Sequence, residues 1–388
     1  MEVNLFPKPS LTVIKSRKNV SFERAGFLLF ALILSSIIVY GILFFSLGHH
    51  RRHDLKRLLN RPKTREMKDY KFARKSFFPY EDMLYIADHN VIEPWTEPCH
   101  SNLSSNSSSS STPHMKFLLL ITSARKNILQ RRLIRKYAPK NFKKVFVLGR
   151  NSKLKIGSNI HDEYDKHGDL IIGNFVDSYE NLTIKTEVAL TYTLKHCQQS
   201  FSSVDLIVKM DDDMVVNFHG LEELAKKRYP GILSKSKIKQ EKFMSCFSYG
   251  NRVNRISTNK HFISLKEYSS KKYPDYCPGS FWMTSVETIN RIMSMRSRPE
   301  AQIPFKMEDV YHFGMLRTLA GDVKIKRIHP KCVKYSREFR KWIQSNHDNV
   351  DILVGGTNGI QRLQQNAYTL MDKLRHKCGL KCVTSPCD

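Results

Sequence analysis

The stretch VDLIVKMDDDMVVN at residues 204–217 decides the fold. Its first part, VDLIVKM, is a nearly unbroken apolar run of strand length, the pattern of a strand buried on both faces of a parallel sheet. It runs without a turn residue into three consecutive carboxylates, Asp211, Asp212 and Asp213. Ligands in open α/β sheets collect beyond the carboxyl ends of the strands, so the three acids fall where a site is expected. Adjacent carboxylates repel unless something positive offsets them. A divalent cation bridging a diphosphate would do so, because carboxylate oxygens are the hard ligands such an ion takes. An exposed acidic turn or a helix cap would use the same residues.

The flanking segments repeat the α/β rhythm. FLLLITS at 117–123 reads as a buried strand, RKNILQRRLIRKYA at 125–138 as a basic helix, and KVFVLG at 144–149 as a second strand. DLIIGNF at 169–175 adds a strand, and 182–196 a helix, before the acidic strand. Strand, helix, strand at this spacing predicts βαβ units with a mixed, mostly parallel central sheet and flanking helices. Neither GxGxxG nor GxxxxGK[ST] is present, which disfavours the usual dinucleotide and P-loop readings.

Two later segments carry candidate chemistry. YPDYCPGSFWMTS at 273–285 has the Pro and Gly of a rigid turn, with aromatics that could stack on a sugar or a base, or pack a core around Cys277. In PFKMEDVYHFGML at 304–316, Glu308 and Asp309 precede a buried helix. They could favour its N-terminus, or one could take a proton from a substrate hydroxyl.

The chain has 388 residues and a formal charge of +28. Much of that charge lies around residues 25–47, AGFLLFALILSSIIVYGILFFSL, and in the linker that follows. No aromatic–basic repeat or zinc-finger spacing supports nucleic acid as a partner. The uncharged stretch would span ~34 Å as a helix, close to a bilayer core. The expected organisation is a cytoplasmic tail at 1–24, a transmembrane signal anchor at 25–47, a luminal stem at 48–112 and a globular domain at 113–388. Basic residues on both sides of the anchor leave the positive-inside rule leaning the other way. All eight cysteines and the sequons at Asn102, Asn106 and Asn181 lie beyond the anchor and favour a luminal, oxidising side. Cysteines at 378, 382 and 387 fit terminal disulfides better than a zinc site. The Ser-rich run at 101–113 reads as a flexible spacer.

Five segments in order resemble the β-1,3-glycosyltransferase (galactosyltransferase-type) family of animal Golgi enzymes. They are RRLIRKY at 131–137, FVDSYENLTIKT at 175–186, KMDDDMVVN at 209–217, YPDYCPG at 273–279 and MEDVYHFGML at 307–316. The resemblance implies a GT-A-like α/β domain that uses a UDP-sugar donor and Mn²⁺. It implies Asp213 and, from KRIHPKC, His329 as metal ligands, with Asp211, Asp212, Arg135 and Lys185 at the nucleotide and sugar. Asp309 would be the general base and Glu308 its neighbour in the acceptor pocket. An inverting transfer of a hexose, galactose first, to an oligosaccharide, glycoprotein or glycolipid hydroxyl would give a β-1,3 linkage. N-acetylglucosaminyl or N-acetylgalactosaminyl transfer is the alternative, and a non-catalytic glycan-binding membrane glycoprotein a third reading. The family setting implies a single-pass type II protein of the Golgi membrane, with the bilayer as a partner through one helix, and is compatible with a homo- or hetero-oligomer. One departure stands out: Pro278 to Trp282 are bulkier than the family pattern and would alter the donor or acceptor pocket.

Overall fold

The computed structural model describes residues 115–151, 158–197, 204–233, 241–247, 250–301, 305–345, 347 and 350–378. All of them belong to one compact unit, Ala73–Asp388. The first strands and helices follow the expected rhythm: β1 (Phe117–Thr122), α1 (Ile128–Tyr137), β2 (Phe142–Arg150), α2 (Ser158–His167), β3 (Leu170–Val176), α3 (Leu182–Cys197) and β4 (Leu206–Asp211). Strands β1 to β4 are mutually parallel where they pair, in the spatial order β3-β2-β1-β4. The chain therefore winds outward from β1 and then crosses back to its other side. That reversal opens a crevice at the carboxyl ends of β1 and β4, where ligands enter such sheets.

After β4 come β5 (Met214–Val216), α4 (Phe218–Arg228), β6 (Phe243–Cys246), β7 (Phe281–Thr284) and α5 (Val286–Met293). A stretch of π-helix, Val310–Leu316, and β8 (Lys324–Arg327) follow. Strand β7 joins β4 antiparallel, β6 joins β7, and β8 closes a seven-stranded mixed sheet. Strands β9 (Val333–Tyr335), β10 (Val354–Gly356) and β5 form a second sheet of three strands. The C-terminal part also carries α6 (Ser336–Gln344) and α7 (Gln361–Cys378).

The apolar run of β1 is buried on both faces. Phe117, Leu119 and Ile121 enter one core with residues of α1, α4 and α7, whereas Leu118 and Leu120 enter a second core with α3, α5 and the π-helix. Alternation at a period of two divides one continuous run between two layers.

The expectation of a transmembrane helix ahead of the domain is corrected. Among the described residues, no helix is long and apolar enough to cross a membrane. The longest, α7, reads QRLQQNAYTLMDKLRHKC and packs one face on the core. Residues 25–47 lie outside the described residues, as do the tail, the stem, the Ser-rich run, Asn102, Asn106 and the cysteines at 382 and 387. The readings built on that helix, a type II Golgi membrane protein with the bilayer as partner, therefore find no element here and are withdrawn.

Candidate active site

The parallel register sets Thr122 of β1 beside Asp211 of β4, and the Thr122 hydroxyl donates to Asp211 Oδ1 at 2.5 Å. Lys209 lies two residues earlier on the same strand face, and its Nζ donates to that oxygen at 2.6 Å. The buried Lys209 ammonium also donates to the carbonyl of Gly279. Gly279 in turn donates its N–H to Asp309 Oδ2 at 3.3 Å. One contact chain thus joins the acids after β4 to the acids before the π-helix.

The three aspartates do different work. Asp212 points inward and receives Ser123 Oγ at 2.6 Å, Asn127 Nδ2 at 2.9 Å and the N–H of Ala124 at 3.3 Å. It fastens the turn from β1 into α1. Burial raises its pKa, opposed by those hydrogen bonds. Asp213 is held through its backbone: its carbonyl accepts from Thr357 N at 3.1 Å and Thr357 Oγ1 at 2.7 Å. Its carboxylate takes no side-chain hydrogen bond among the described residues. Burial, reinforced by the charges of Asp211 and Asp212, pushes its pKa up to about 6. An under-satisfied carboxylate is the kind of ligand a hard cation takes. Among the described residues, no three His, Cys, Asp or Glu side chains converge on one metal position. Two carboxylates, Asp211 and Asp213, would leave a divalent ion positions for water and for the oxygens of a diphosphate.

Glu308 and Asp309 sit against the Pro278–Gly279 turn. A Cβ at Gly279 would run into the Glu308 carboxylate, so a side chain there would push that carboxylate aside. Asp309 caps the π-helix, with Oδ1 accepting from Val310 N at 2.8 Å. Burial, then the neighbouring Asp309 charge, pushes Glu308 up to about 8. Burial also raises Asp309, but its two backbone N–H donors and Lys209 favour its charged form. At neutral pH Glu308 is therefore protonated, and Asp309 beside it is held above the ordinary carboxylate range by burial.

Of the other expected residues, Lys185 reaches the cleft floor. Its buried ammonium donates to Ser123 O at 3.0 Å and to the Asp177 carboxylate. Arg135 spends its guanidinium on Asp169 at 2.7 and 2.8 Å and on Glu163 at 2.7 Å, over the ring of Phe146. Arg131, one turn earlier, reaches the site floor instead: it is fully buried and donates to Ser123 Oγ and Ala124 O, both at 2.8 Å. His329 is exposed, and its Nδ1 accepts from Lys331 N at 3.2 Å. Asn181 is buried, with its amide donating to Val176 O at 2.8 Å, so its nitrogen faces inward. Phe281 and Trp282 are fully buried in opposite cores.

Lys209, Thr122 and Ser123 are the local residues that the sequence reading passed over. Alternation along KMD puts Lys209 on the face of Asp211, a signal that was there to use. Thr357 and Gln364, whose amide donates to Asp212 O at 2.8 Å, arrive from far along the chain with no local signal.

Comparison with known proteins adds a family. A galactosyltransferase family model matches residues 124–331. The chain is 28% identical over 269 residues to beta-1,3-galactosyltransferase 5 of Homo sapiens, covering 66% of this chain and 77% of that one. It is 30% identical over 184 residues to UDP-GalNAc:beta-1,3-N-acetylgalactosaminyltransferase 1 of Mus musculus, covering 46% and 51%. Among solved structures, a glycosyltransferase involved in glycosylation of the major capsid of PBCV-1 matches with a TM-score of 0.30 and 12% identity, over 66% of this chain and 99% of that one.

Proposed function

The chain belongs to the galactosyltransferase family and is a glycosyltransferase, and from that premise we propose that it transfers a hexose, galactose first, from a UDP-sugar to a glycan hydroxyl, with inversion and a β-1,3 linkage. The observation that supports this reading is the chain Asp211–Lys209–Gly279–Asp309, which links the acids after β4 to the acids before the π-helix. The relatives' names divide between galactose and N-acetylgalactosamine. N-acetylgalactosamine is therefore the second reading.

Asp213 and Asp211 would hold a divalent ion, Mn²⁺ first, which when bound offsets the negative charge of the diphosphate. Asp212, with Ser123, Asn127 and Arg131, keeps the floor of the crevice rigid so that the acids do not reorganise during reaction. Lys185 and Lys209 supply fixed positive charge beneath the leaving group. Asp309 accepts the proton of the acceptor hydroxyl as that oxygen forms its bond to the anomeric carbon. The bond from that carbon to the phosphate oxygen breaks on the opposite face, and UDP leaves with the electron pair. One displacement inverts the centre, so an α-linked donor gives a β-linked product. Glu308, neutral at this pH, can donate a hydrogen bond to the acceptor without competing for its proton.

A donor panel tests the reading. The full chain is incubated with Mn²⁺, β-galactoside or β-N-acetylhexosaminide acceptors, and each of UDP-galactose, UDP-N-acetylgalactosamine, UDP-N-acetylglucosamine and UDP-glucose. A β-1,3 product from UDP-galactose, lost with EDTA, is expected. Exclusive use of UDP-N-acetylgalactosamine would establish the second reading, and folded protein that neither binds UDP nor transfers would defeat both.

A further inference from the structure

Among the described residues, Tyr179 is the one aromatic side chain among the exposed large apolar groups, at 46% exposure. It sits on a tight turn, Tyr179–Asn181, between β3 and α3. That turn is clamped at both ends. Asn181 bonds back to Val176 O, and Thr183 Oγ1 donates to Phe305 O at 3.0 Å, three residues before Glu308. The phenol oxygen lies 2.9 Å from His261 Nδ1, and Lys260 Nζ stands 5.7 Å from the ring centroid. The His261 ring meets it edge-on, with centroids 6.1 Å apart. His261 is itself fixed by its backbone N–H donating to Asn259 Oδ1 at 2.8 Å.

An exposed ring held this firmly at a crevice is not explained by packing. Its phenol is pushed up to about 12 by burial and then by the charges of Glu308, Asp309 and Asp211, in that order. The Thr183–Phe305 hydrogen bond ties this turn to the segment that carries Glu308 and Asp309. A hexose presents an apolar face of C–H groups, and an aromatic plane is the surface that holds such a face while leaving the hydroxyls free.

We propose that Tyr179 is the acceptor platform, stacking the acceptor hexose so that one of its hydroxyls meets Asp309, with His261 and Lys260 fixing the ring. This rests on the reaction proposed above and names the group that selects its acceptor. Tyr179 then determines acceptor specificity, and the turn at 256–262 sets the tilt of the platform.

The test separates acceptor from donor. The full chain carrying Tyr179→Ala or Tyr179→Trp is titrated with UDP and Mn²⁺. The UDP-bound protein is then titrated with methyl β-galactoside and methyl β-N-acetylglucosaminide, and acceptor and donor KM are measured wherever transfer occurs. Tyr179→Ala should weaken glycoside binding and raise acceptor KM by roughly 3- to 10-fold. UDP affinity and donor KM should stay within about twofold, and Tyr179→Trp should restore acceptor binding. Weaker UDP binding with unchanged glycoside binding would make the ring a uracil platform and overturn the proposal. So would glycoside binding equal to wild type in Tyr179→Ala, or wild-type protein that binds UDP but neither glycoside. Glycoside binding that depends on Tyr179, without transfer from any donor, would instead defeat the proposed reaction and leave the platform standing.

Discussion

Glu187 and His312 meet in the interior, with Glu187 Oε2 2.8 Å from His312 Nε2. The other ring nitrogen, Nδ1, lies 2.9 Å from the backbone carbonyl of Glu308. Both neighbours are acceptors, so an ordinary neutral imidazole beside an ionised carboxylate would leave two lone pairs facing each other. Burial pushes His312 down to about 4. Arg296 pairs with the second Glu187 oxygen.

His312→Ala should accordingly be strongly destabilising. It strands the Glu187 carboxylate and frees the carbonyl that anchors the Glu308–Asp309 turn. Breaking a buried pair costs about 3 kcal/mol or more, which is a fall of roughly 6–12 °C in Tm for a domain of this size. Glu187→Gln should lose less, because its amide can donate to Nε2 while Nδ1–H serves Glu308. Thermal melts of the two variants check the order; equal losses would show that the proton arrangement does not matter.

Glu308 and Asp309 should respond oppositely to amide substitution. Asp309→Asn removes the proton acceptor and should lower kcat by ~10²-fold or more. Glu308→Gln replaces a group already neutral below about pH 8 and should keep most activity at pH 7. Stability adds a second signature. The folded pKa of Glu308 is raised above its ordinary value of 4.5, so the folded protein holds a proton that the unfolded chain releases. Stability therefore falls as pH rises from about 4.5 to about 8. Glu308→Gln should flatten that fall, giving its largest gain in Tm at pH 8 and little at pH 4.5. A melt-versus-pH series reads this directly.

Asp213 gives a pH dependence of another sign. Its carboxyl, raised to about 6, must be ionised to take a cation. Mn²⁺-dependent UDP binding should be flat above neutrality and weaken by roughly tenfold per pH unit once well below 6. Asp213→Asn should remove the metal dependence. His329→Ala should leave it intact, since the ring is exposed and already caps a turn. Calorimetric titration of UDP with and without Mn²⁺ at pH 5, 6 and 7.5 checks all three statements.

The parallel half of the sheet was legible because its strands are buried on both faces and carry unbroken apolar runs. The other half was not, since β6, β7 and β8 are four residues each and leave too short a pattern to read. The acids at 211–213 and 308–309 could be picked out as residue types on strand and helix ends. Their union could not, because Lys209 and Gly279 join them across a separation of 70 residues. Arg135 misled for a related reason. The helix presents Arg131 and Arg135 on one face and both pair with Glu163, and only packing shows that the first also reaches Ser123 while the second turns to Asp169. Trp282 looked like a pocket residue because YPDYCPGSFWMT mixes turn and strand, and burial alone shows where the strand begins.

The Cys246–Cys277 disulfide closes a loop of 31 residues that carries Lys260 and His261 and ends two residues before Gly279. Its loss should therefore register in both stability and activity. Freeing a loop of that length gives the unfolded chain about 3–4 kcal/mol of conformational freedom, or roughly 6–16 °C in Tm. Both sulfurs are fully buried, so replacing the pair with alanine adds a small cavity cost. The activity loss should be larger for the acceptor than for the donor. Gly279 bonds Asp309 and the loop holds the Tyr179 ring, whereas Asp212 and Asp213 are fastened from β1, Thr357 and α7. Kinetics of Cys246→Ala/Cys277→Ala below its own Tm should therefore show a raised acceptor KM and a lowered kcat with nearly normal UDP binding. An equal loss of UDP binding would mean that the loop supports the whole crevice rather than its acceptor side.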